Sequence, residues 1–509
     1  MSGETTEQEG ERLSALLAAG SPGAQALVEP EDGAALTYAE LADRVTALAG
    51  RLSTAGVRRG DRVALVLPNG PEIVQLLLTS AALGAGAAPL NPGYTEDEYA
   101  FYLGDIQPRV LLLAAGEFAA ARAAAAGVTV VDVAVTEGEL PRLLSAGTEV
   151  TAESPFEPGQ PDDIALLLHT SGTTSRPKQV PLLQRNVMAS ARTIAAHYRL
   201  GPDDVSFCVM PLFHIHGLVA STFSALAAGG TVVVPRRFSP RRFRQQARET
   251  GVTWFSAGPT LHHMILDKAE GEPVPATLRF VRSCSSALSP ALMARAEQAY
   301  GVPMLEAYGM TEASHQMASN PLPPAERSPG SVGVATGTEI AIIDGERRLL
   351  PEGSHGEVVI RGPGVTPGYL NNPEANADSF FDGWFRTGDR GVIENGYLLL
   401  VGRLKEMILR GGENISPAEI EDVLLSHPAV TDAVCFGVED EKYGEEVAAA
   451  VSLSGEADEA ALVAYCRERL AAFKVPRVIH ILEAIPRTPT GKLQRRRVAA
   501  FIEEQGLAR

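Results

Sequence analysis

Residues 164–180 read Ile-Ala-Leu-Leu-Leu-His-Thr-Ser-Gly-Thr-Thr-Ser-Arg-Pro-Lys-Gln-Val. The apolar run from Ile164 to Leu168 is short enough to be a buried strand. It leads into a loop of small and hydroxylated residues that ends at Lys178, and Gly172 lets the backbone approach a ligand closely. Backbone N–H groups, hydroxyl groups and the lysine can together bind phosphate. The stretch therefore indicates a phosphate site, although an ordinary Ser/Thr/Gly surface loop has the same composition.

Segments that flank this stretch alternate between strand and helix patterns. Leu36–Leu52 has apolar residues at helical spacing, and Thr37 with Glu40 predicts a capping box at its start. Asp61–Leu67 predicts a strand, and Pro71–Leu83 predicts a helix. This alternation predicts an α/β fold with a large N-terminal domain of doubly wound, largely parallel sheets.

Several strands predicted after the loop end in polar or aromatic residues. Val205–Met210 precedes a His-Ile-His segment, Leu278–Cys284 precedes a serine pair, and Pro303–Ala307 precedes Tyr-Gly-Met-Thr-Glu. In open α/β sheets, ligands bind beyond the carboxyl ends of the strands. The recurrence predicts a binding site at this edge of a sheet.

The character of the chain changes towards its C-terminus. Residues 330–403 predict short strands joined by Gly/Pro turns, which indicates a β-rich subdomain. From about residue 404, helix and strand patterns begin a new, smaller α+β unit. We therefore expect an N-terminal domain over residues 1–402 and a C-terminal domain over residues 403–509.

Composition limits the classes of function. A chain of 509 residues is too long for one core, and its net charge of −18, from 62 acidic and 44 basic residues, argues against nucleic acid as a partner. The four cysteines have neither metal nor redox spacing, which favours a reducing compartment. The uncharged stretches Ile73–Thr95 and His216–Pro235 each predict a buried helix, a glycine turn and a strand rather than a membrane span. We expect a soluble, cytoplasmic protein that is a monomer or a homodimer.

Five motifs in order resemble the core motifs of the adenylate-forming superfamily, which includes acyl-CoA synthetases, firefly luciferase and the adenylation domains of peptide synthetases. They are Thr170–Lys178, Tyr308-Gly-Met-Thr-Glu312, Thr387-Gly-Asp389, Gly402-Arg403-Leu-Lys405-Glu and Gly491-Lys492. The match extends from about residue 36 to residue 500. Five motifs in the family's order are far more specific than a lone glycine-rich loop.

The resemblance implies an enzyme with two half-reactions. An acid and ATP give an acyl-adenylate and pyrophosphate, and the thiol of CoA then takes the acyl group. ATP, Mg²⁺ and CoA are the implied cofactor and co-substrates. The implied pyrophosphate-binding residues are Thr170, Ser171, Gly172, Thr173, Thr174 and Lys178. The other implied nucleotide contacts are Tyr308 on adenine, Thr311 on the α-phosphate, Glu312 on Mg²⁺, and Asp389 and Arg403 on the ribose.

The resemblance also implies a mobile C-terminal domain. Lys405 falls at the hinge position, and Lys492 would bridge the carboxylate and the α-phosphate during adenylation. Rotation would replace Lys492 by Gly411-Gly412 near the thiol channel. The expected catalytic residues are Lys492, Thr311, Glu312 and His214.

The candidate acid-binding residues are polar. They are His214, His216, Ser283, Ser285, Ser286 and His315. Imidazole and hydroxyl groups suit a short anionic acid better than an acyl chain. The surrounding segments resemble the oxalate–CoA ligase branch, in which residues matching Ser285, His315 and His214 are the expected oxalate contacts.

Other substrates and roles stay open at this point. The histidines could serve any acyl substrate as gate or packing residues, so a medium-chain or aryl acyl-CoA ligase is the main alternative. An adenylating biosynthetic enzyme with an unusual acid, or with a carrier protein or amine as acceptor, is another. A binding or regulatory protein that has lost the chemistry is disfavoured because the motif residues are present.

Two further features need a structure. Gln179 follows Lys178 where the family usually has glycine, and glutamine would be strained if that position required a positive φ. A basic cluster could meet the phosphates of CoA or could be a solvated helix start. Its members are Arg236, Arg237, Arg241, Arg242 and Arg244.

Overall fold

A computed structural model of the chain describes residues 9–136, 139–170, 177–268, 272–410, 413–440, 442–487 and 495–504. In its first part, strands and helices alternate up to residue 183. The strands are β1 (Gln25–Val28), β2 (Ala35–Thr37), β3 (Arg62–Val66), β4 (Gly86–Pro89), β5 (Val110–Ala114), β6 (Thr129–Ala134), β7 (Arg142–Ser145), β8 (Thr148–Glu149), β9 (Ile164–Thr170) and β10 (Lys178–Leu183). The helices are a 3-10 helix at Leu13–Ala18, α1 (Tyr38–Thr54), α2 (Pro71–Ala82), α3 (Glu96–Ile106) and α4 (Ala119–Ala124).

Residues 184–335 continue the alternation. The helices are α5 (Gln184–His197), a π-helix (His216–Phe223), α6 (Ser224–Ala227), α7 (Phe243–Glu249), α8 (Pro259–Lys268), α9 (Pro290–Tyr300) and a 3-10 helix at Thr311–Ala313. The strands are β11 (Val205–Phe207), β12 (Thr231–Val233), β13 (Trp254–Ala257), β14 (Phe280–Ser283), β15 (Met304–Met310), β16 (His315–Ser319) and β17 (Val334–Ala335).

The remainder of the chain contains two smaller groups of elements. The first comprises β18 (Glu339–Ile343), β19 (Gly356–Arg361), α10 (Pro373–Ser379), β20 (Phe380–Phe381), β21 (Trp384–Glu394), β22 (Tyr397–Arg403) and a 3-10 helix at Leu404–Glu406. The second comprises β23 (Ile408–Arg410), β24 (Glu413–Ile415), α11 (Pro417–Leu425), β25 (Val430–Asp440), β26 (Gly444–Leu453), α12 (Glu459–Arg467), a 3-10 helix at Ala472–Lys474, β27 (Val478–Ile481) and α13 (Arg495–Glu504).

Four sheets organise these strands. Two large ones have the orders β17-β16-β15-β14-β13-β11-β12-β1-β2 and β10-β9-β4-β3-β5-β6-β7-β8, and their central strands are parallel. The β-rich sheet has the order β18-β19-β21-β20, with β22 on β21, and the last sheet has the order β24-β23-β26-β25, with β27 on β26. The predicted α/β class with a β-rich subdomain and a C-terminal α+β unit is confirmed.

Local predictions succeeded where side chains fix the backbone. The capping box forms at α1: the Glu40 N–H donates to Thr37 Oγ1 at 3.2 Å, and the Thr37 N–H donates to Glu40 Oε2 at 2.8 Å. The strand predicted over 303–307 continues to Met310, because it pairs with β16 beyond that point. The predicted domain boundary falls at the end of β22, the last strand of the third sheet, and it stays a prediction.

The core belongs mainly to the two large sheets. One continuous apolar cluster includes residues of both sheets together with α1, α2, α5 and the π-helix. The π-helix has only buried residues, so it covers one sheet face with no contact to solvent. Within the described ranges, no helix combines the length and apolar character that a bilayer span requires.

Candidate active site

The end of β15 meets the β-rich sheet at a cluster of predicted nucleotide-binding residues. Tyr308 donates its hydroxyl hydrogen to the Asp389 carboxylate, and Arg403 Nε lies 3.0 Å from Asp389 Oδ1. Asp389 and Arg403 are directly opposite each other on β21 and β22. The nearby Asp389 charge is the largest cause that raises the pKa of Arg403, while burial and Asp389 raise that of Tyr308 well above its usual value. Three residues predicted from separate motifs therefore lie together.

A second group surrounds Glu312. This buried carboxylate lies in the short 3-10 helix that Thr311 begins, and its Oε1 accepts a hydrogen bond of 2.9 Å from the Tyr369 hydroxyl. The Lys178 ammonium lies 4.5 Å from the centre of the Tyr369 ring. Tyr369 thus joins the end of the phosphate loop to Glu312. The sequence did not indicate this residue, because a single tyrosine in an irregular segment produces no periodic pattern.

The residues around Glu312 fit a magnesium ion that is shared with a nucleotide. Mg²⁺ commonly takes one or two carboxylates and completes its coordination with water and substrate phosphates. Among the described residues, no three His, Cys, Asp or Glu side chains group together as a metal site. Glu312 would therefore hold the ion together with phosphate oxygens.

The acid-binding candidates surround the carboxyl ends of β13 and β14. His216, the first residue of the π-helix, has Nδ1 2.9 Å from Ser285 Oγ and Nε2 2.6 Å from Ser256 Oγ. The His216 and His315 ring centres are 5.0 Å apart. The backbone N–H of His216 donates to Nδ1 of His214 at 3.2 Å. The structure thus brings together His214, Ser285 and His315, with His216 between them.

A buried arginine that the sequence did not single out lies behind these rings. Arg282, on β14, has no exposed surface. Its guanidinium lies 3.4 Å from Nε2 of His216 and 3.4 Å from Nδ1 of His315. Burial lowers the pKa values of both histidines well below the usual value, and the arginine charge adds to this effect. Both imidazoles are therefore neutral at neutral pH.

Models of two protein families match this chain. The "AMP-binding enzyme" model matches residues 16–370, and the "AMP-binding enzyme C-terminal domain" model matches residues 419–492. The chain belongs to the AMP-binding enzymes. The predicted resemblance to the adenylate-forming superfamily is thereby confirmed.

Relatives of this AMP-binding enzyme include CoA ligases. It is 47% identical over 477 residues to a probable CoA ligase, CCL9, of Humulus lupulus, and the match covers 91% of each chain. It is 46% identical over 489 residues to the oxalate–CoA ligase of Arabidopsis thaliana, with 92% of this chain and 94% of the relative covered. The chain is an ATP-dependent, AMP-forming acid–CoA ligase that uses ATP, Mg²⁺ and CoA.

A solved structure supports the fold. The o-succinylbenzoate coenzyme A synthetase of Bacillus subtilis, solved with ATP and a magnesium ion, superposes with a TM-score of 0.84 at 32% identity. The match covers 96% of this AMP-binding enzyme and 99% of that chain.

Some predicted site residues lie outside the described ones. They are Ser171, Gly172, Thr173 and Thr174 of the phosphate loop, Lys492, and Gly411-Gly412. The loop's ends are described: Thr170 closes β9, Lys178 opens β10, and the two are paired in antiparallel register. Lys405 is exposed in the 3-10 helix between the third and fourth sheets.

Two serines of the predicted acid site are separate from the histidine cluster. Ser283 is buried, and its hydroxyl has no hydrogen-bond partner among the described residues. It follows Arg282 on β14, so its side chain lies on the opposite face of the sheet. Ser286 is exposed. For this AMP-binding enzyme, their role in acid binding stays a prediction.

The concern about Gln179 was wrong. Gln179 lies in β10 opposite His169, in extended backbone, so it needs no positive φ. Its side chain is buried, and Nε2 donates to the carbonyl of Asp105 at 2.6 Å. The glutamine joins the strand beside the phosphate loop to the end of α3.

The basic cluster proposed for CoA is smaller than the sequence indicated. Arg236 forms ion pairs with Glu29 and Glu72, and Arg244 is buried, with NH1 donating to the Glu272 carbonyl at 2.6 Å. Neither guanidinium is available for phosphate. The other members, Arg237, Arg241 and Arg242, are exposed.

Proposed function

We propose that this ligase activates oxalate. The observation that supports oxalate is the polar acid-binding cluster: three histidines and Ser285 lie together beside a buried arginine. An acyl chain placed there would cover hydrogen-bonding groups without satisfying them, which is costly. A small acid with two carboxylates can satisfy them. The identity to an oxalate–CoA ligase supports the same substrate.

The proposed reaction has two balanced steps. One oxalate oxygen attacks the α-phosphorus of ATP, which forms oxalyl-AMP and releases pyrophosphate. The CoA thiolate then attacks the acyl carbon, which forms oxalyl-CoA and releases AMP, while the thiol proton passes to solvent. The first step brings anions together, so cations and hydrogen-bond donors must stabilise the developing charge.

The proposed nucleotide contacts are those that the family resemblance implies. Asp389 accepts the ribose hydroxyls beside Arg403, Tyr308 lies against adenine, and Thr311 bonds the α-phosphate. Mg²⁺, held by Glu312 with phosphate oxygens, would neutralise charge on the transferring phosphates. The loop at 170–178 would hold the pyrophosphate.

The proposed acid contacts are donors. His214, Ser285 and His315 hold the carboxylate that does not react, which leaves the other carboxylate to face the α-phosphate. Lys492 bridges the reacting carboxylate and the α-phosphate. Replacing Lys492 by alanine would remove the cation that brings two anions together.

The two-domain organisation belongs to the same proposal. Residues 1–402 form the domain that binds ATP and the acid, and residues 403–509 form the domain that carries Lys492 and rotates at Lys405. All four cysteines are free and buried, which suits a reducing compartment such as the cytoplasm.

An acid panel tests the substrate. AMP release is measured with ATP, Mg²⁺ and CoA for oxalate, hexanoate and benzoate, and oxalate should give the highest kcat/KM. A preference for hexanoate or benzoate would contradict the proposal. In pyrophosphate exchange, Lys492→Ala should lose at least about 100-fold in rate.

A further inference from the structure

Arg282 carries a buried charge that no carboxylate in the described part of the chain neutralises. Its Nε donates to the Tyr198 hydroxyl at 2.9 Å, NH1 to Ser256 Oγ at 2.8 Å, and NH2 to Gln316 Oε1 at 3.0 Å. All of these acceptors are neutral, and Arg282 has no ion pair among the described residues. A buried cation usually requires a negative partner. The acid-binding cluster of His214, His216, Ser285 and His315, called the acid pocket from here on, therefore has one uncompensated positive charge beside it.

The guanidinium fixes the proton on His216. Arginine can only donate, and its Nη1 lies 2.8 Å from Ser256 Oγ and 3.4 Å from Nε2 of His216. Two N–H groups would not face each other across that distance, so Nε2 is the unprotonated nitrogen and accepts the Ser256 hydrogen at 2.6 Å. The ring hydrogen lies on Nδ1 and is donated to Ser285 Oγ at 2.9 Å. The Ser285 hydroxyl, which accepts this bond, can turn its hydrogen towards a substrate.

Arg282 also fixes the proton on His315. Its Nδ1 lies 3.4 Å from Arg282 NH2, and two N–H groups cannot point at each other across that distance. Nδ1 is therefore unprotonated, and the hydrogen lies on Nε2, on the other side of the ring. His214 follows the same order, because its Nδ1 accepts from the backbone N–H of His216.

The three imidazole rings are thus oriented alike. Each turns an unprotonated nitrogen towards a donor within the protein, so its other nitrogen carries a hydrogen. An arginine cannot be deprotonated in a protein, so the order at His216 and His315 is fixed, and a backbone N–H fixes it at His214. A carboxylate, which only accepts, is the complementary ligand.

We propose that Arg282 is a positioning residue that fixes the protons of His216 and His315, so that the acid pocket presents hydrogen-bond donors and a positive field to the second anionic group of the substrate. The inference rests on the proposed function, since it names the part of the substrate that the pocket recognises. It extends that function, because it locates specificity in a residue buried behind the expected contacts.

The backbone supports such a fixed arrangement. Ser285 has φ of 79° and His315 has φ of 106°, a region that residues with a Cβ rarely adopt. Such conformations persist only where the surroundings hold them in place. Ser285 is linked to Arg282 through Ser256 and His216, and His315 lies 3.4 Å from Arg282 itself.

The experiment compares oxalate with oxamate, in which a neutral amide replaces one carboxylate. Both are assayed by the adenylation half-reaction, as the oxalate/oxamate ratio of kcat/KM, in the unmodified enzyme and in Arg282→Met, Arg282→Lys and Ser256→Ala. Arg279→Met is the matched control, because Arg279 lies near the start of the same strand and pairs with Asp204. The ATP KM reports whether each variant is folded at the nucleotide site.

Arg282→Met should lower the ratio about 100-fold, because it removes the charge and the donor order. Arg282→Lys should restore about 10-fold of that loss, since lysine keeps the charge but lacks the planar fork. Ser256→Ala should lower the ratio about 10-fold by breaking the link to His216. Arg279→Met should leave it unchanged.

The pH dependence distinguishes positioning from packing. Among the described residues, the charges that act on His216 are those of His315, Arg282, His214 and His262, and the charges that act on His315 are those of Arg282 and His214. In the unmodified enzyme both rings stay neutral, and the ratio should be flat from about pH 6 to about pH 8. In Arg282→Met the two pKa values should rise while burial still holds them below the usual value, so the ratio should recover only at the acid end of this range, where an imidazolium begins to replace the lost cation.

A ratio that stays within about threefold in Arg282→Lys and Ser256→Ala would overturn the inference, even if Arg282→Met does not fold. The inference would also be overturned if folded Arg282→Met had a low oxalate/oxamate ratio that did not change with pH. If the unmodified enzyme does not use oxalate at all, the proposed function fails first. Failure of the proposed function is therefore distinguishable from failure of the inference about Arg282, because it is seen in the unmodified enzyme.

Discussion

The two ends of the active site balance charge in different ways. At the nucleotide end, Asp389 is paired with Arg403 and bonded by Tyr308 within the protein. At the acid end, Arg282 has only neutral partners, and the neighbouring imidazoles are kept uncharged. Asp389 thus has a positive partner within the protein, whereas Arg282 has no negative partner among the described residues. The difference indicates that the acid, rather than the nucleotide, supplies the missing charge.

Breaking the nucleotide end should have the largest effect. Asp389→Ala removes the proposed ribose acceptor and leaves Arg403 without its carboxylate, so kcat/KM for ATP should fall about 100-fold. The factor should be the same for every acid, as measured by AMP release. Asp378→Ala, which breaks an exposed pair with Arg386, is the control. A loss confined to one acid would show that the two ends are not separate.

Removing the Ser285 hydroxyl at the acid end should have a smaller effect, which is confined to the acid. Ser285→Ala removes one hydroxyl donor, so kcat/KM for oxalate should fall about 10-fold while the ATP KM is unchanged. Because Ser285 has a positive φ, Ser285→Gly separates loss of the hydroxyl from backbone strain. Equal losses in both variants would support a hydrogen bond. An unchanged kcat/KM for oxalate in Ser285→Gly would assign the loss in Ser285→Ala to backbone strain.

The contact between Tyr369 and Glu312 should contribute less still. Tyr369→Phe removes a 2.9 Å hydrogen bond to the proposed magnesium ligand, so the Mg²⁺ concentration for half-maximal activity should change about fivefold. Tyr397→Phe, which removes a hydroxyl bonded to the Glu326 carbonyl, should leave it unchanged. The same response in both variants would contradict a specific role for Tyr369.

Glu306 should affect stability and not the choice of acid. Burial raises the pKa of this carboxyl to about 7 from 4.5, so the folded state holds the proton more tightly than the unfolded chain. Its contribution to stability is complete below about pH 4.5 and is lost as the pH rises through about 7. In Glu306→Gln, the loss of unfolding free energy between about pH 5 and about pH 8 should be smaller by about 3 kcal/mol. Denaturant titrations at both pH values measure this, and parallel pH profiles for the two proteins would refute it.

The nucleotide end was predictable and the acid end only partly so. Tyr308, Glu312, Asp389 and Arg403 lie in motifs that resemble those of the adenylate-forming superfamily, and the resemblance implies that they meet at one nucleotide. The histidines and Ser285 could be predicted because they follow strands. Arg282 could not, since an arginine inside a strand pattern reads as one exposed charge. Only the register of β14 with β13 places it beside Ser256, and only the π-helix brings His216 over both.

Gln179 gives the opposite lesson. Its departure from the family's usual glycine suggested strain in the phosphate loop. The loop's end is strand, because Lys178 already pairs with Thr170, and a glutamine fits an extended backbone. Pairing across a hairpin is not visible in one strand's sequence. The hinge at Lys405 stays a prediction.

Recognition of a second negative charge is the property that separates this acid pocket from one for a neutral acyl group. The most direct measurement is kcat/KM of the unmodified enzyme for oxalate and for oxamate, which differ by one charge at nearly equal size. A pocket with a buried, uncompensated arginine and three oriented imidazoles should favour oxalate at least about 100-fold. Equal values for the two acids would contradict the account.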